Sequence, residues 1–183
     1  MRRDAQRNRD QLLNATLELL LERGVEPPLD AVAREAGVGI GTLYRHFPTR
    51  TDLFDALGHM LLDRAIRAAE HALESEADGI GTLRLYLRAA VSDGVGALNL
   101  LHHLVDDPTW VARRNEVTRA VASVVERAHS DGTVREDVDI TDIVHATIRY
   151  SRPVGLPIPR EEERRIAHRH LDLFIDALRP LID

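Results

Sequence analysis

The sequence predicts an all-α chain of about nine helices, and three observations carry that reading. Apolar residues recur at i, i+3, i+4 and i+7 through most of the 183 residues. The segments so patterned are bounded by helix start and stop signals: Thr49 with Asp52, Asp107 before Pro108, Asp139, and the terminators Gly24 and Pro180. No stretch alternates apolar with polar residues as a half-buried strand would, and no internal repeat is present.

Each element follows from its residues. Asn8 with Gln11 has the spacing of a capping box, and Leu13, Leu17 and Leu20 then repeat on one face until Gly24 supplies a C-cap. A second helix is expected over 29–36, carried by Leu29, Val32, Ala33 and Ala36, and a third over 40–47 with Leu43 and Phe47 inward. Thr49 and Asp52 open a long fourth helix with Leu53, Leu57, Met60 and Leu61, ending near Glu74. After a break at 75–79, Leu83, Tyr86, Leu87 and Ala90 mark a fifth. Gly94 and Gly96 weaken that helix, so 95–105 is expected as a separate short one. Asp107-Pro108 starts a helix that runs past Trp110, Val117, Val121, Val124 and Val125 to Gly132. Asp139 opens another with Ile143, Val144, Thr147 and Ile148 inward. Pro153, Pro157 and Pro159 make 152–159 a stiff linker, and the last helix spans about 160–178.

Composition narrows the function classes. No apolar run approaches the roughly 20 residues that cross a bilayer, and the start Arg2-Arg3-Asp4 has no apolar leader core, so a cytoplasmic protein without membrane contact is expected. Without cysteine there is no disulfide framework and no thiolate metal site. The net charge of −6 is unevenly spread: residues 1–50 hold eight Arg against seven acids, and the remainder sixteen against twenty-three. Arg2, Arg3, Arg7 and Arg9 crowd the N-terminal end, and local positive charge matters more for phosphate than the total.

Residues 30–50, D-A-V-A-R-E-A-G-V-G-I-G-T-L-Y-R-H-F-P-T-R, describe two brief helices joined at a glycine turn. That is a helix-turn-helix, whose second helix enters a DNA major groove. Gly37 is expected where the backbone turns to positive φ, with Val38, Leu43 and Phe47 pinning the third helix from beneath. Gly39, Ile40 and Gly41 then stand at the tip that meets base edges.

Residues 8–57 resemble the DNA-binding domain of the tetracycline-repressor (TetR) family. The resemblance rests on Leu12-Leu13-Asn14-Ala15-Thr16, Arg23-Gly24, Val32-Ala33-Arg34-Glu35-Ala36-Gly37-Val38, Gly41-Thr42-Leu43-Tyr44-Arg45-His46-Phe47-Pro48 and Leu53-Phe54. Gly132-Thr133-Val134-Arg135-Glu136-Asp137-Val138 before a helix also recurs in relatives. The resemblance implies a three-helix DNA-binding domain over 1–50 and a helical effector-binding and dimerisation domain over 51–183. It implies that Thr42, Tyr44 and His46 reach phosphates or groove edges, that Arg45 reaches a base, and that Arg50 holds a phosphate where relatives carry Lys. It further implies a ligand-responsive repressor that binds a palindromic double-stranded operator as a homodimer through its last two helices. Pro27-Pro28 departs from the family, which places a capping Ser or Thr before the second helix.

Competing readings are weaker. Gly37-Val38-Gly39-Ile40-Gly41 follows a helix rather than a strand, and a Walker loop needs a Lys that the chain lacks, so no nucleotide or other cofactor is expected. Nine His are present, but His102-His103 diverge by about 100° on a helix, and His168 and His170 face nearly opposite ways, so no metal is expected. A His-dependent helical enzyme lacks a nucleophile–base–orienter signature. The candidate effector-lining residues are Tyr86, His103, Trp110, Arg113 and Tyr150, set among Leu and Val and suited to a largely apolar ligand, with an anion held by Arg113 or Arg149 as its rival. Val144, Ile148, Ile166, Leu173 and Phe174 add apolar surface near the C-terminus that fits a symmetric pair. A DNA binder without an effector is the remaining alternative.

Overall fold

The long fourth helix begins where Thr49 and Asp52 bond reciprocally, as their spacing predicts. Asp52 N donates to Thr49 Oγ1 at 3.1 Å and Thr49 N to Asp52 Oδ2 at 2.8 Å, an arrangement that stabilises a helix start by about 1 kcal/mol. The computed structural model, which describes residues 2–101, 108–155 and 157–180, contains eight α-helices, this one and seven around it. They are α1 (Arg2–Arg23), α2 (Leu29–Glu35), α3 (Ile40–His46), α4 (Arg50–Glu74), α5 (Gly79–Ser92), α6 (Pro108–Ser130), α7 (Ile140–Ser151) and α8 (Arg160–Ala177). A 3-10 helix, Val95–Leu100, lies between α5 and α6. The described residues contain no strand, as the period of the sequence predicts.

Two cores meet along α4. The first gathers Leu12, Leu13, Leu20, Val32, Leu43, Phe47 and the leading half of α4, from Leu53 to Leu61. The second gathers the trailing half, from Ala65 to Ala72, with the inward faces of α5, α6, α7 and α8. Small residues on that trailing half let α5 and α6 lie close against it. On the leading half α6 comes close at Gly58, where a methyl group would overlap Cζ2 and Cη2 of Trp110.

The 3-10 helix is the second bridge between the cores. Gly94 enters it at φ 71° and rests on Leu17 and Leu21 of α1, while Ala97 and Leu101 join the first core. On its other side Gly96 lies against the backbone of Thr147 and Ile148 in α7, leaving no room for a side chain. Arg64 adds a polar tie, donating to Asn14 Oδ1 of α1 at 2.8 Å and to the Asp93 carbonyl at 2.9 Å.

The segment after α6 caps α5. Asp131 Oδ2 accepts from Gly79 N and Thr133 Oγ1 from Ile80 N at 2.8 Å, while Val134 and Val138 are buried. Arg84 and Arg88 of α5 grip Asp172 of α8 at 2.9 and 3.0 Å, and the hydrogen bond from Arg88 holds the Asp172 carboxyl below the usual carboxylate range.

Three expectations need correction. The Asn8–Gln11 cap is unused: α1 starts at Arg2, because Asp4, Ala5, Gln6 and Arg7 are themselves helix-compatible and Gln6 Nε2 reaches Asp10 at 2.8 Å. The short helix expected over 95–105 is a 3-10 helix ending at Leu100, since Gly96 must press on α7. Val144 faces outward, 42% exposed, because Ile143 and Thr147 take the inward face of α7. The break expected at Gly94 and Gly96 is present, and both glycines are also close-packing positions. The Asp107 start signal lies outside the described residues.

Gly58→Ala should destabilise the fold even though alanine is the better helix former by about 1 kcal/mol. The added methyl has no space beside the buried Trp110 ring, and overpacking of this kind costs about 1–3 kcal/mol. Urea melts should show the loss, and adding Trp110→Phe to the same chain should recover part of it.

Candidate nucleic-acid interface and effector cavity

The turn between α2 and α3 is set by Gly37 at φ 68°, a conformation that L side chains adopt at a cost, with open space where a Cβ would sit. Val32 and Ala33 of α2 and Leu43 of α3 are buried, and Phe47 closes the underside. That packing leaves the opposite face of α3 to solvent. Ile40 is 43% and Tyr44 50% exposed, large fractions for apolar and aromatic side chains on a short rigid helix. Gly39, Gly41 and Arg45 share that exposed face, and Thr42 and His46 flank it half-buried.

Arginines organise this surface. Arg45 folds along its own helix, Nη2 donating to Thr42 Oγ1 at 2.9 Å and Nε to the Gly41 carbonyl at 3.3 Å. Arg50 reaches back across the domain: Nε donates to Glu26 Oε2 at 2.7 Å, Nη1 to the Pro27 carbonyl at 3.1 Å, and its guanidinium stacks 5.0 Å from the Phe54 ring. Pro28 is the N-cap of α2 and supplies no capping side chain. The Arg50 contacts therefore fix the Pro27-Pro28 approach to α2 that a hydroxyl would otherwise anchor. Arg9 of α1 stacks 5.3 Å over Phe47, which directs a second cation toward the end of α3.

Among the described residues, two cavities stand out beyond α3. One, of about 390 Å³, lies among α4, α5, the 3-10 helix, α6 and α7, and both Tyr86 and Trp110 line it. Leu62, Asn99, Val117 and Thr147 complete much of its wall. Burial pushes the Tyr86 hydroxyl up to about 12, while its hydrogen bond with Thr147 pulls the other way. Trp110 Nε1 is buried with no hydrogen-bond partner, a state that costs about 1–3 kcal/mol. The ring itself is held by Gly58 and by His59, whose ring centroid is 5.4 Å away.

The second cavity, of about 510 Å³, lies where α1 meets the ends of α5 and α7 and the face of α8. Tyr150 belongs to this one, its ring 6.1 Å from Phe174. Arg113 lines neither: it pairs with Asp63 and Glu116 and ties α6 to α4. His103 lies outside the described residues. The structure thus brings together only Tyr86 and Trp110 of the five effector residues expected from sequence. Among the described residues no three His, Asp or Glu side chains are placed to hold a metal ion, and no helix is long and apolar enough to cross a membrane.

Comparison with known proteins agrees with this geometry. Residues 12–57 match the model of bacterial regulatory proteins of the tetR family, and residues 80–180 match that of the transcriptional regulator SbtR-like C-terminal domain. An HTH-type transcriptional regulator of Staphylococcus aureus is 44% identical over 54 residues, a match spanning 29% of each chain. Among solved structures, a TetR transcriptional regulator from Streptomyces coelicolor is 30% identical with a TM-score of 0.63, covering 95% of this chain and 99% of that one. The TetR-like regulator LfrR from Mycobacterium smegmatis, solved in complex with proflavine, has a TM-score of 0.66 at 22% identity, covering 91% and 95%.

The raised Tyr86 value makes stability depend on alkaline pH. The folded chain holds this proton to about 12 whereas an unfolded tyrosine releases it near its ordinary 10.0. The contribution is therefore complete below about pH 10 and is lost as pH rises through 12. Tyr86→Phe should flatten that part of the curve of melting temperature against pH.

Proposed function

The chain belongs to the tetR family of bacterial regulatory proteins, and we propose that it is a homodimeric repressor whose hold on a palindromic operator is released by a small molecule. The observation that carries the reading is the exposed face of α3, Ile40 and Tyr44 standing out above the buried Leu43 and Phe47. It is a DNA-binding transcriptional regulator; the repressor role, the dimer and the effector are our inferences. We read residues 1–50 as the DNA-binding domain and 51–183 as the effector-binding and dimerisation domain, working in the cytoplasm.

On DNA, the α3 face enters the major groove, with Gly39, Ile40 and Gly41 allowing close approach to base edges. Thr42, Tyr44 and His46 meet phosphates or groove edges. Arg45 exchanges its contacts with Thr42 and Gly41 for a base edge or a phosphate, either of which its planar fork can meet with two parallel bonds. Arg50 keeps its grip on Glu26 and Pro27 while its remaining Nη2 turns to a phosphate. With Ile40 between two glycines, few side-chain bonds read sequence directly, and specificity rests on Arg45, on the N-terminal arginines and on DNA shape.

The dimer reading is supported by apolar surface on the last two helices. Leu173 is 62% and Val144 42% exposed, with Ile148, Ile166 and Phe174 half-buried around them. Two-fold pairing through this surface sets two α3 helices at the spacing of a palindrome. The effector reading is supported by the 390 Å³ cavity, whose walls include α4, the helix that shares the first core with α3. A TetR-like regulator of similar fold is solved in complex with proflavine, and we assign the cavity of this chain to a ligand of its own. A coupling of about 1–3 kcal/mol weakens operator binding several-fold to a hundredfold.

Tyr44→Ala should weaken operator binding by about 1–3 kcal/mol with the melting temperature unchanged. Arg50→Ala should weaken it similarly and also lower the melting temperature, because its contacts to Glu26 and Pro27 go as well. Fluorescence anisotropy with a selected operator measures both; equal affinity in wild type and Tyr44→Ala would remove α3 from the interface. Sedimentation at micromolar concentration should give a dimer, and Leu173→Glu should give a monomer. A wild-type monomer would sink the two-fold reading.

A further inference from the structure

The cavity beside Trp110 has a chemical character that narrows its occupant. Its wall is mostly aliphatic, and its neutral polar groups are the side chains of Tyr86, Asn99, Thr118 and Thr147. Among the described residues no carboxylate lines it, and its one charged lining group, Arg114, is on an exposed position. A cation would find no counter-charge there. An apolar body fits, and in the wall stands a buried donor, Trp110 Nε1, with nothing to donate to.

We propose that the effector is an uncharged, largely apolar molecule carrying an acceptor oxygen, an aryl ketone being the model case, and that Trp110 Nε1 donates to that oxygen. This rests on the effector-responsive reading given above. Less than 1 Å² of Nε1 is open, so an acceptor reaches it only when the indole tilts. The same ring fills the notch at Gly58 of α4 and packs beside His59. A tilt that presents Nε1 to the cavity drives the ring edge against α4, whose Leu53, Phe54 and Leu57 lie in the same core as Leu43 of α3. The new hydrogen bond exists only in the tilted arrangement, which is the differential affinity that a shift of α4 requires. A ligand of the same shape without the oxygen fills the space and leaves the ring where it is.

Trp110 is the chain's only tryptophan, so one indole cross-peak in a proton–nitrogen correlation spectrum reports on it alone. The probes are benzophenone, diphenylmethane and diphenylacetate, added to the full chain with and without operator DNA. Benzophenone should move the indole N–H downfield, bind on the order of tenfold tighter than diphenylmethane, and alone weaken operator binding. Trp110→Phe should abolish that preference; the indole shift in the unmodified chain tests the bond even if this variant folds poorly. A stationary indole N–H with the ketone and hydrocarbon binding equally, or diphenylacetate binding tightest, would overturn the ligand class while leaving an effector-responsive regulator in place. If none of the three binds or alters the melting temperature, the effector reading of this cavity falls too.

Discussion

One helix holds this molecule together. The leading half of α4 is buried in the first core through Leu53, Phe54, Leu57 and Leu61, and its trailing half in the second through Ala65, Ala68, Ala69 and Ala72. No proline or break interrupts the 25 residues between Arg50 and Glu74. Unbroken hydrogen bonding along its length ties the core that holds α2 and α3 to the core of the later helices. The small residues of the trailing half allow α5 and α6 to approach, and on the leading half the Trp110 ring leaves Gly58 no room for a side chain.

The 3-10 helix does a related job from the side. Val95, Gly96, Leu98 and Asn99 face the smaller cavity, whereas Ala97 and Leu101 are packed in the first core. One short element therefore has a wall of the cavity on one side and a partner of α1 on the other. A 3-10 helix suits this, because its three-residue turn sends successive side chains to different neighbours and poor hydrogen-bond geometry limits its length. The cavity is connected to the α3 scaffold by two routes, one through α4 and one through α1.

Much of this was legible in the sequence, and the division between what was and what was not is physical. Local rules settle local features: the positive φ of Gly37, the reciprocal bonds of Thr49 and Asp52, and the Asp139 start of α7 each depend on residues within a few positions. The α1 start illustrates how such a rule fails, since Asn8 has cap spacing but the residues before it are equally content in a helix. Features made by contact across the fold leave no spacing to read. Gly58 meets Trp110 from a position 52 residues earlier, and Arg50 clasps Glu26, 24 residues away. Tyr150 and Arg113 looked like companions of Tyr86 by composition, yet one turns to the α8 groove and the other neutralises Asp63 and Glu116.

The Arg50 clasp shows how a departure from family pattern is accommodated. Without a hydroxyl at the N-cap of α2, the first amides there lose a local acceptor, and Pro28 contributes only a fixed φ of −61°. A lysine at position 50 would offer Glu26 a single ammonium contact. Arginine's planar fork bonds Glu26 and the Pro27 carbonyl together while its face lies on Phe54, and one donor nitrogen is still left over. The Pro-Pro entry to α2 and the arginine at the start of α4 are thus two halves of one solution. It follows that Arg50→Lys is not a conservative exchange in this chain, because the ammonium would keep a charge for phosphate but give up the shape that positions α2.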